Sequence, residues 1–164
     1  EKDGKIVYES GICDDYLDEV YPEKPLYPKD PHQKATMRML MERFGKVVST
    51  FYGLRAAGED EAKKQEKIKE FMTALQPFEE ALVGKFFGGD DLSMLDVHTW
   101  PWFERMEISR SQGQDLLQKF PKLSAWRDNM LNHETVKATF LPPDIHAKFV
   151  ESYIKQQPDY DVGL

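Results

Sequence analysis

Four prolines within ten residues divide the chain near its start. They are Pro22, Pro25, Pro28 and Pro31. Each proline lacks a backbone donor and clashes with the preceding turn, so a helix cannot continue through this spacing. We therefore predict a linker over residues 22–31, which separates a short N-terminal segment, residues 1–21, from a longer C-terminal domain, residues 32–164.

The apolar residues after the linker recur with helical spacing. One stripe comprises Met37, Leu40, Met41, Phe44, Val47, Val48 and Phe51, and a second comprises Ile68, Phe71, Met72, Leu75, Phe78 and Leu82. Gly53 and Gly58 mark the end of the first stripe, and further helices are predicted from Ser93, after Pro121, near Glu134 and after Pro143. Residues 4–10 predict a strand ending in an acidic residue and a helix cap, before a short helix. The predicted fold class is all-α, with a β-α segment in front.

Bulk properties exclude several function classes. The net charge of −7 argues against a nucleic-acid surface, which needs a basic face. No apolar run is long enough to span a bilayer, so we expect no membrane partner. The single cysteine, Cys13, suits a reducing compartment, and we expect a cytoplasmic protein. The four histidines lack the spacing of a metal site, so no metal is expected.

Ser93 and Asp96 have the spacing of a reciprocal N-capping box. Each side chain can bond to the backbone amide of the other, which satisfies two of the four free donors at a helix start. The following helix is apolar on more than one side, which predicts a buried position. We therefore expect a buried cap, although the same pattern is common at exposed helix starts.

Several motifs together resemble a known family. The strand ending in Glu9 and Ser10, the proline-rich linker, a long helical pair, and Gly-Gly-x-x-x-Ser-x-x-Asp before a helix are similar to cytosolic glutathione S-transferases. Four phrases resemble the omega class in particular: Phe86-Phe87-Gly88-Gly89, Trp100-Pro101-Trp102-Phe103-Glu104-Arg105, Tyr16-Leu17-Asp18-Glu19 and Asp161-Val162-Gly163-Leu164. The resemblance covers essentially the whole chain.

This resemblance implies a fold and an activity. Residues 1–21 would be the last strand and helix of a thioredoxin-like domain, and residues 32–164 the helical C-terminal domain. The implied chemistry is glutathione-dependent thiol transfer or dehydroascorbate reduction in a homodimer, with glutathione as co-substrate and a small electrophilic or oxidised second substrate. Cys13 does not sit where the class carries its nucleophile, so we expect a structural thiol there and an inactive isolated chain.

The resemblance also implies two sets of binding residues. Glu9 and Ser10 would hold the γ-glutamyl end of glutathione, because a helix start favours a carboxylate and Glu9 can take an ammonium. From the residues alone, a plain helix cap and a solvated carboxylate are favoured instead.

The second substrate would contact Trp102, Arg105 and Tyr153. Trp102 and Arg105 lie three residues apart on one helix face, and an aromatic wall with a cation suits mixed-polarity ligands. The alternative is a core tryptophan and an arginine paired with a carboxylate. A second functional hypothesis is a non-catalytic helical interaction module.

Overall fold

A computed structural model describes residues 3–56 and 60–163. Within those residues the chain forms seven helices, α1 (Ser10–Val20), α2 (Pro31–Ala56), α3 (Glu61–Ala81), α4 (Met94–Ser111), α5 (Pro121–Asn132), α6 (Glu134–Thr139) and α7 (Pro143–Ile154). The all-α class is confirmed, and each helix predicted after the linker is present. No helix of the described part is both long and apolar enough to cross a bilayer. The chain divides into two compact units, one ending at Thr99 and the other beginning at Trp100.

The first unit has its core between α2 and α3. The apolar stripes of both helices supply buried residues: Met37, Met41, Phe44, Val47, Phe51, Phe71, Leu75, Phe78 and Leu82. Phe44 meets Phe78 edge to face, with ring centroids 5.4 Å apart, and Phe51 packs against Phe71 at 6.2 Å. α3 continues through Pro77, which lies inside the helix.

The proline-rich linker joins α1 to the start of α4 through its middle residues. The Leu26 amide donates to Asp18 Oδ1 at 2.6 Å, and the Leu26 carbonyl accepts from the Met94 amide at 3.0 Å. The next residue, Tyr27, is buried, and its hydroxyl donates to Asp15 Oδ1 at 2.7 Å. The linker is therefore an ordered part of the first unit.

The N-terminal segment departs from the sequence prediction in two ways. No strand forms over residues 4–8 within the described part: Lys5 is an isolated bridge residue, and residues 6–8 have no regular structure. A strand needs a neighbour for its amides and carbonyls, and the described residues supply no ladder for this one. The N-cap of α1 is Glu9, and Ser10 is the first helical residue rather than the cap. Gly53 does not end α2, which continues to Ala56, and Gly58, the other glycine predicted to mark the end, lies outside the described residues.

The second unit packs around Trp126. Its ring meets Phe103 edge to face at 4.7 Å and Trp100 at 5.9 Å. Arg127 beside it is buried and donates to Asp115 Oδ1 at 2.8 Å, and its Nε lies 3.6 Å from Glu107 Oε1. Burial alone would raise the pKa of Asp115, but the bonds from Arg127 and the Leu117 amide hold that pKa below its usual value. This ionic cluster joins the end of α4 to α5.

The C-terminal tail folds back along α7. The Asp159 amide donates to Ser152 Oγ at 3.0 Å, and the ring of Tyr160 lies 5.7 Å from that of Phe149. Further along, a Cβ at Gly163 would lie 2.8 Å from Ile145 Cγ2, and Gly163 has a φ of +93°. Both the positive φ and the close approach require glycine at this position.

Candidate functional site

The corner formed by Glu9 and Ser10 is exposed and conformationally unusual. Glu9 has φ 69° and ψ 118°, a region that non-glycine residues rarely adopt. Both side chains are exposed, and no side-chain cap bond is assigned to the start of α1, all of whose residues are described. The Glu9 carbonyl accepts from the Cys13 amide at 2.9 Å, which closes the first turn. The amides of the first turn of a helix have no carbonyl partner within the helix, so they point outward and favour an anion.

Three carboxylates attach α1 to the rest of the first unit. Asp14 Oδ2 lies 2.6 Å from His98 Nδ1. Asp15 accepts from the Tyr27 hydroxyl and pairs with Arg38 at 3.0 Å. Asp18 accepts from the Leu26 amide, as described above. Burial and the neighbouring Asp15 raise the pKa of Tyr27 well above its usual value, so Tyr27 remains a donor.

Ser93 and Asp96 are both buried where α4 begins. Asp96 Oδ2 accepts from the Ser93 amide at 2.7 Å and from the Ser93 hydroxyl at 2.6 Å. Asp96 Oδ1 accepts from the Phe87 amide at 3.0 Å, a bond that the sequence pattern did not indicate. One carboxylate therefore joins the helix start to the turn of residues 86–89.

Trp102 and Arg105 meet on one face of α4 within the second unit. The Arg105 guanidinium lies over the Trp102 ring, 5.2 Å from its centroid, and Nη1 donates to the Pro101 carbonyl. Trp102 is half-buried and Arg105 is exposed. This pair presents an aromatic surface beside a cation, an arrangement that can contact a flat ligand bearing negative charge.

Glu104 and His146 are neighbours of Arg105 that the sequence analysis did not single out as site residues. Glu104 Oε1 accepts from the Leu141 amide at 2.8 Å, which holds the segment before α7. Burial lowers the pKa of His146, Arg105 lowers it further, and Glu104 opposes both. Tyr153, also on α7, is exposed and packs against Phe149, with ring centroids 6.1 Å apart. Its place in a substrate pocket stays a prediction.

The attachment of α1 through Asp14 was not predicted because its partner is distant in sequence. Asp14 and His98 are separated by 84 positions. The available signal was weak: Asp14 and Asp18 follow Ser10 at intervals of four, which puts all three on one helix face. Among the described residues no group of three or more His, Cys, Asp or Glu side chains could hold a metal ion.

Comparison with known proteins identifies the family. The profile of the glutathione S-transferase C-terminal domain matches residues 30–134. The chain belongs to the glutathione S-transferase family, in its omega class. Rat glutathione S-transferase omega-1 is 35% identical over 98% of this chain and 67% of its own length. Pyrimidodiazepine synthase of Drosophila melanogaster is 32% identical over 96% of this chain and 64% of its own length.

The fold of this transferase chain agrees with solved structures. Glutathione transferase Omega 3C from Trametes versicolor superposes with a TM-score of 0.82 at 27% identity, covering 95% of this chain and 68% of that one. A transferase from Methylobacillus flagellatus with glutathione bound shares the fold, with a TM-score of 0.69 at 22% identity over 85% of this chain and 72% of that one. The chain thus spans about two thirds of the length of the relatives it matches.

Proposed function

We propose that this chain is the glutathione-contacting and substrate-contacting part of an omega-class glutathione-dependent thiol transferase. In the proposed reaction a cysteine thiolate attacks an oxidised sulfur of the substrate and displaces its partner thiolate. Glutathione thiolate then attacks the substrate sulfur of the mixed disulfide, which releases the cysteine thiolate and leaves a glutathione–substrate disulfide. Reduction of dehydroascorbate belongs to the same proposed class. The family and the omega-class relatives support this assignment.

The strained corner at Glu9 is the observation that carries the proposal for glutathione. A backbone in this region costs on the order of 1–3 kcal/mol and persists where function or surroundings require it. Here it places an exposed carboxylate directly before the outward-facing amides of α1. The Ser10 hydroxyl and amides would bind the γ-glutamyl carboxylate, and Glu9 would bind its ammonium. The first unit therefore supplies the γ-glutamyl contacts.

The second unit would supply contacts to the second substrate. The Trp102 ring and Arg105 guanidinium form its wall, and Tyr153 is the third proposed member. We assign Cys13 a structural role, because it is half-buried in α1 between Glu9 and the carboxylates of Asp14 and Asp15. A homodimeric protein working in the cytoplasm remains part of this proposal, on the support of the family and of the single cysteine.

A titration with glutathione tests the first contact. We expect the ¹⁵N-labelled chain to show shifts of the Ser10 amide at roughly millimolar glutathione, since a few charge-assisted bonds must offset immobilisation of the whole tripeptide. Cysteinylglycine, which lacks the γ-glutamyl group, should leave Ser10 unshifted. Ser10→Ala should weaken binding severalfold, and Ser49→Ala, an exposed serine on α2, should not. Equal responses to both ligands would contradict the assignment and favour an interaction module.

An activity measurement tests the assignment of Cys13. We expect the 164-residue chain to lack glutathione-dependent reduction of a small mixed disulfide, with and without Cys13→Ser. Turnover by the parent chain that disappears in Cys13→Ser would make Cys13 the nucleophile. The structural role proposed above would then be wrong.

A further inference from the structure

Helix α1 has no fully buried residue, and polar contacts attach it to the rest of the first unit. None of its residues, Ser10–Val20, is buried, and Ile12 and Leu17 are more than half exposed. An amphipathic helix is ordinarily fixed by its buried face, which is worth most of its stability in a folded protein. The carboxylates that attach α1 therefore contribute to the orientation of the Glu9–Ser10 corner.

Asp14 is the attachment nearest to that corner. It lies four residues after Ser10, so the two side chains share one face of α1, one turn apart. Asp14 Oδ2 and His98 Nδ1 are 2.6 Å apart, and both side chains are about four-fifths buried, with exposed fractions of 21% and 17%. A hydrogen bond this short at a largely buried position holds its partners firmly.

His98 is itself fixed by the core of the first unit. Its ring lies edge to face with Phe44, at 6.4 Å between centroids. Phe44 is almost fully buried and packs against Phe78 of α3. A contiguous series of contacts therefore leads from the α2–α3 core through His98 and Asp14 to the first turn of α1.

The other two attachments are less suited to this role. Asp15 points to Tyr27 and Arg38, and Arg38 is 58% exposed, so that ion pair is weak. Asp18 holds the Leu26 amide two turns below Ser10 and positions the linker. Asp14 alone combines proximity to Ser10 with a partner anchored in the core.

We propose that Asp14 and His98 are positioning residues for the glutathione site. By fixing the first turn of α1 against the core, the pair holds Glu9 and Ser10 in the geometry that receives the γ-glutamyl group. This inference rests on the proposed function of Glu9 and Ser10, to which it adds two residues that do not touch the ligand.

Hydrogen exchange tests the attachment without any ligand. The Cys13 amide, bonded to the Glu9 carbonyl, reports opening of the first turn, and the amide of buried Leu75 reports opening of the core. We expect His98→Leu and Asp14→Asn to speed exchange at Cys13 roughly tenfold relative to Leu75, as loss of one charge-assisted hydrogen bond predicts. His98→Asn places an amide donor where Nδ1 was and should restore slow exchange. Glu19→Gln, which removes an exposed charge from the same helix, is the matched control.

Glutathione titration of the same variants tests the positioning role. We expect His98→Leu and Asp14→Asn to weaken the millimolar binding seen at Ser10 about fivefold or more, while His98→Asn and Glu19→Gln bind like the parent. Unchanged Cys13 exchange, or faster exchange with unchanged glutathione affinity, would overturn the inference and leave the proposed function standing. No response of Ser10 in the parent chain would instead overturn the proposed function, and the positioning role with it.

Discussion

The chain contains two helix starts with similar residues and opposite environments. At α4, Ser93 and Asp96 are buried, and one carboxylate accepts three hydrogen bonds. At α1, Glu9 and Ser10 are exposed, the backbone of Glu9 has a positive φ, and no side-chain cap bond is assigned within that described helix. Both helix starts combine a serine with an acidic residue. Only at the start of α4 do these side chains form hydrogen bonds at the helix start.

This difference separates a structural helix start from one available to a ligand. Buried donors at a helix start must be satisfied internally, because water cannot reach them. Exposed amide donors can bind water or an anion, so leaving them without an internal partner costs little free energy. Substitutions at α4 should therefore change stability, whereas those at α1 should change binding.

Asp96→Ala should have the largest effect. The substitution removes the acceptor for the buried Ser93 amide and hydroxyl and for the part-buried Phe87 amide, and each buried donor left without it costs about 1–3 kcal/mol. We expect the free energy of unfolding to fall by about 3–4 kcal/mol, more than the 1–2 kcal/mol that a simple cap predicts. Urea denaturation followed by circular dichroism measures it.

Asp90→Ala is the matched control for that measurement. Asp90 is an exposed carboxylate six residues earlier, and its removal should change stability by less than about 0.5 kcal/mol. If Asp96→Ala and Asp90→Ala have the same free energy of unfolding, the buried carboxylate of Asp96 does not stabilise the start of α4.

Ser93→Ala should have the next largest effect. It removes one hydroxyl bond to Asp96 but leaves the bond from the Ser93 amide. We expect a loss of about 1–2 kcal/mol, in the range of an ordinary cap deletion. The double substitution with Asp96→Ala should cost less than the sum of the single ones, because the bonds form one unit. Strict additivity would show that the two side chains act independently.

Much of the fold was accessible from the sequence because helical periodicity is local. The stripes of α2 and α3 and the positions of Pro121 and Pro143 predicted where helices lie. The pattern Ser93-x-x-Asp96 likewise marked the start of α4. The strand predicted in the N-terminal segment does not form over residues 4–8 of the described structure, because strand formation depends on a neighbouring strand and not on local pattern alone.

The candidate site was harder to predict from the sequence, because it depends on contacts between residues distant in sequence. Glu9 and Ser10 were proposed through family resemblance, but nothing local predicted the positive φ of Glu9. The pairing of Asp14 with His98, and of Glu104 with the Leu141 amide, follows from packing between helices. Periodicity places a residue on a helix face, and only the packed structure says what that face meets.

Glu9→Gly should reveal the strain at α1, with Glu9→Ala as its control. Both variants lose the carboxylate, but glycine adopts a positive φ without steric conflict. We expect Glu9→Gly to be more stable than Glu9→Ala by about 1 kcal/mol, part of the relief being offset by the greater freedom of glycine in the unfolded chain. Both should bind glutathione more weakly than the parent. An alanine variant as stable as the glycine one would show that the corner is relaxed in solution.

Ser10→Ala should have the smallest effect on stability, which makes it the direct counterpart of Ser93→Ala. Ser10 is exposed and is not the N-cap of α1. The N-cap, Glu9, makes no side-chain cap hydrogen bond, so Ser10→Ala removes no capping hydrogen bond at this helix start. Alanine is also the better helix former. We expect the free energy of unfolding to stay within about 0.5 kcal/mol of the parent while glutathione binding at Ser10 weakens. Urea denaturation of the two serine variants side by side provides the comparison. A loss of stability in Ser10→Ala equal to that in Ser93→Ala would mean that both serines are structural caps, and the case for α1 as the open, ligand-facing helix start would fail.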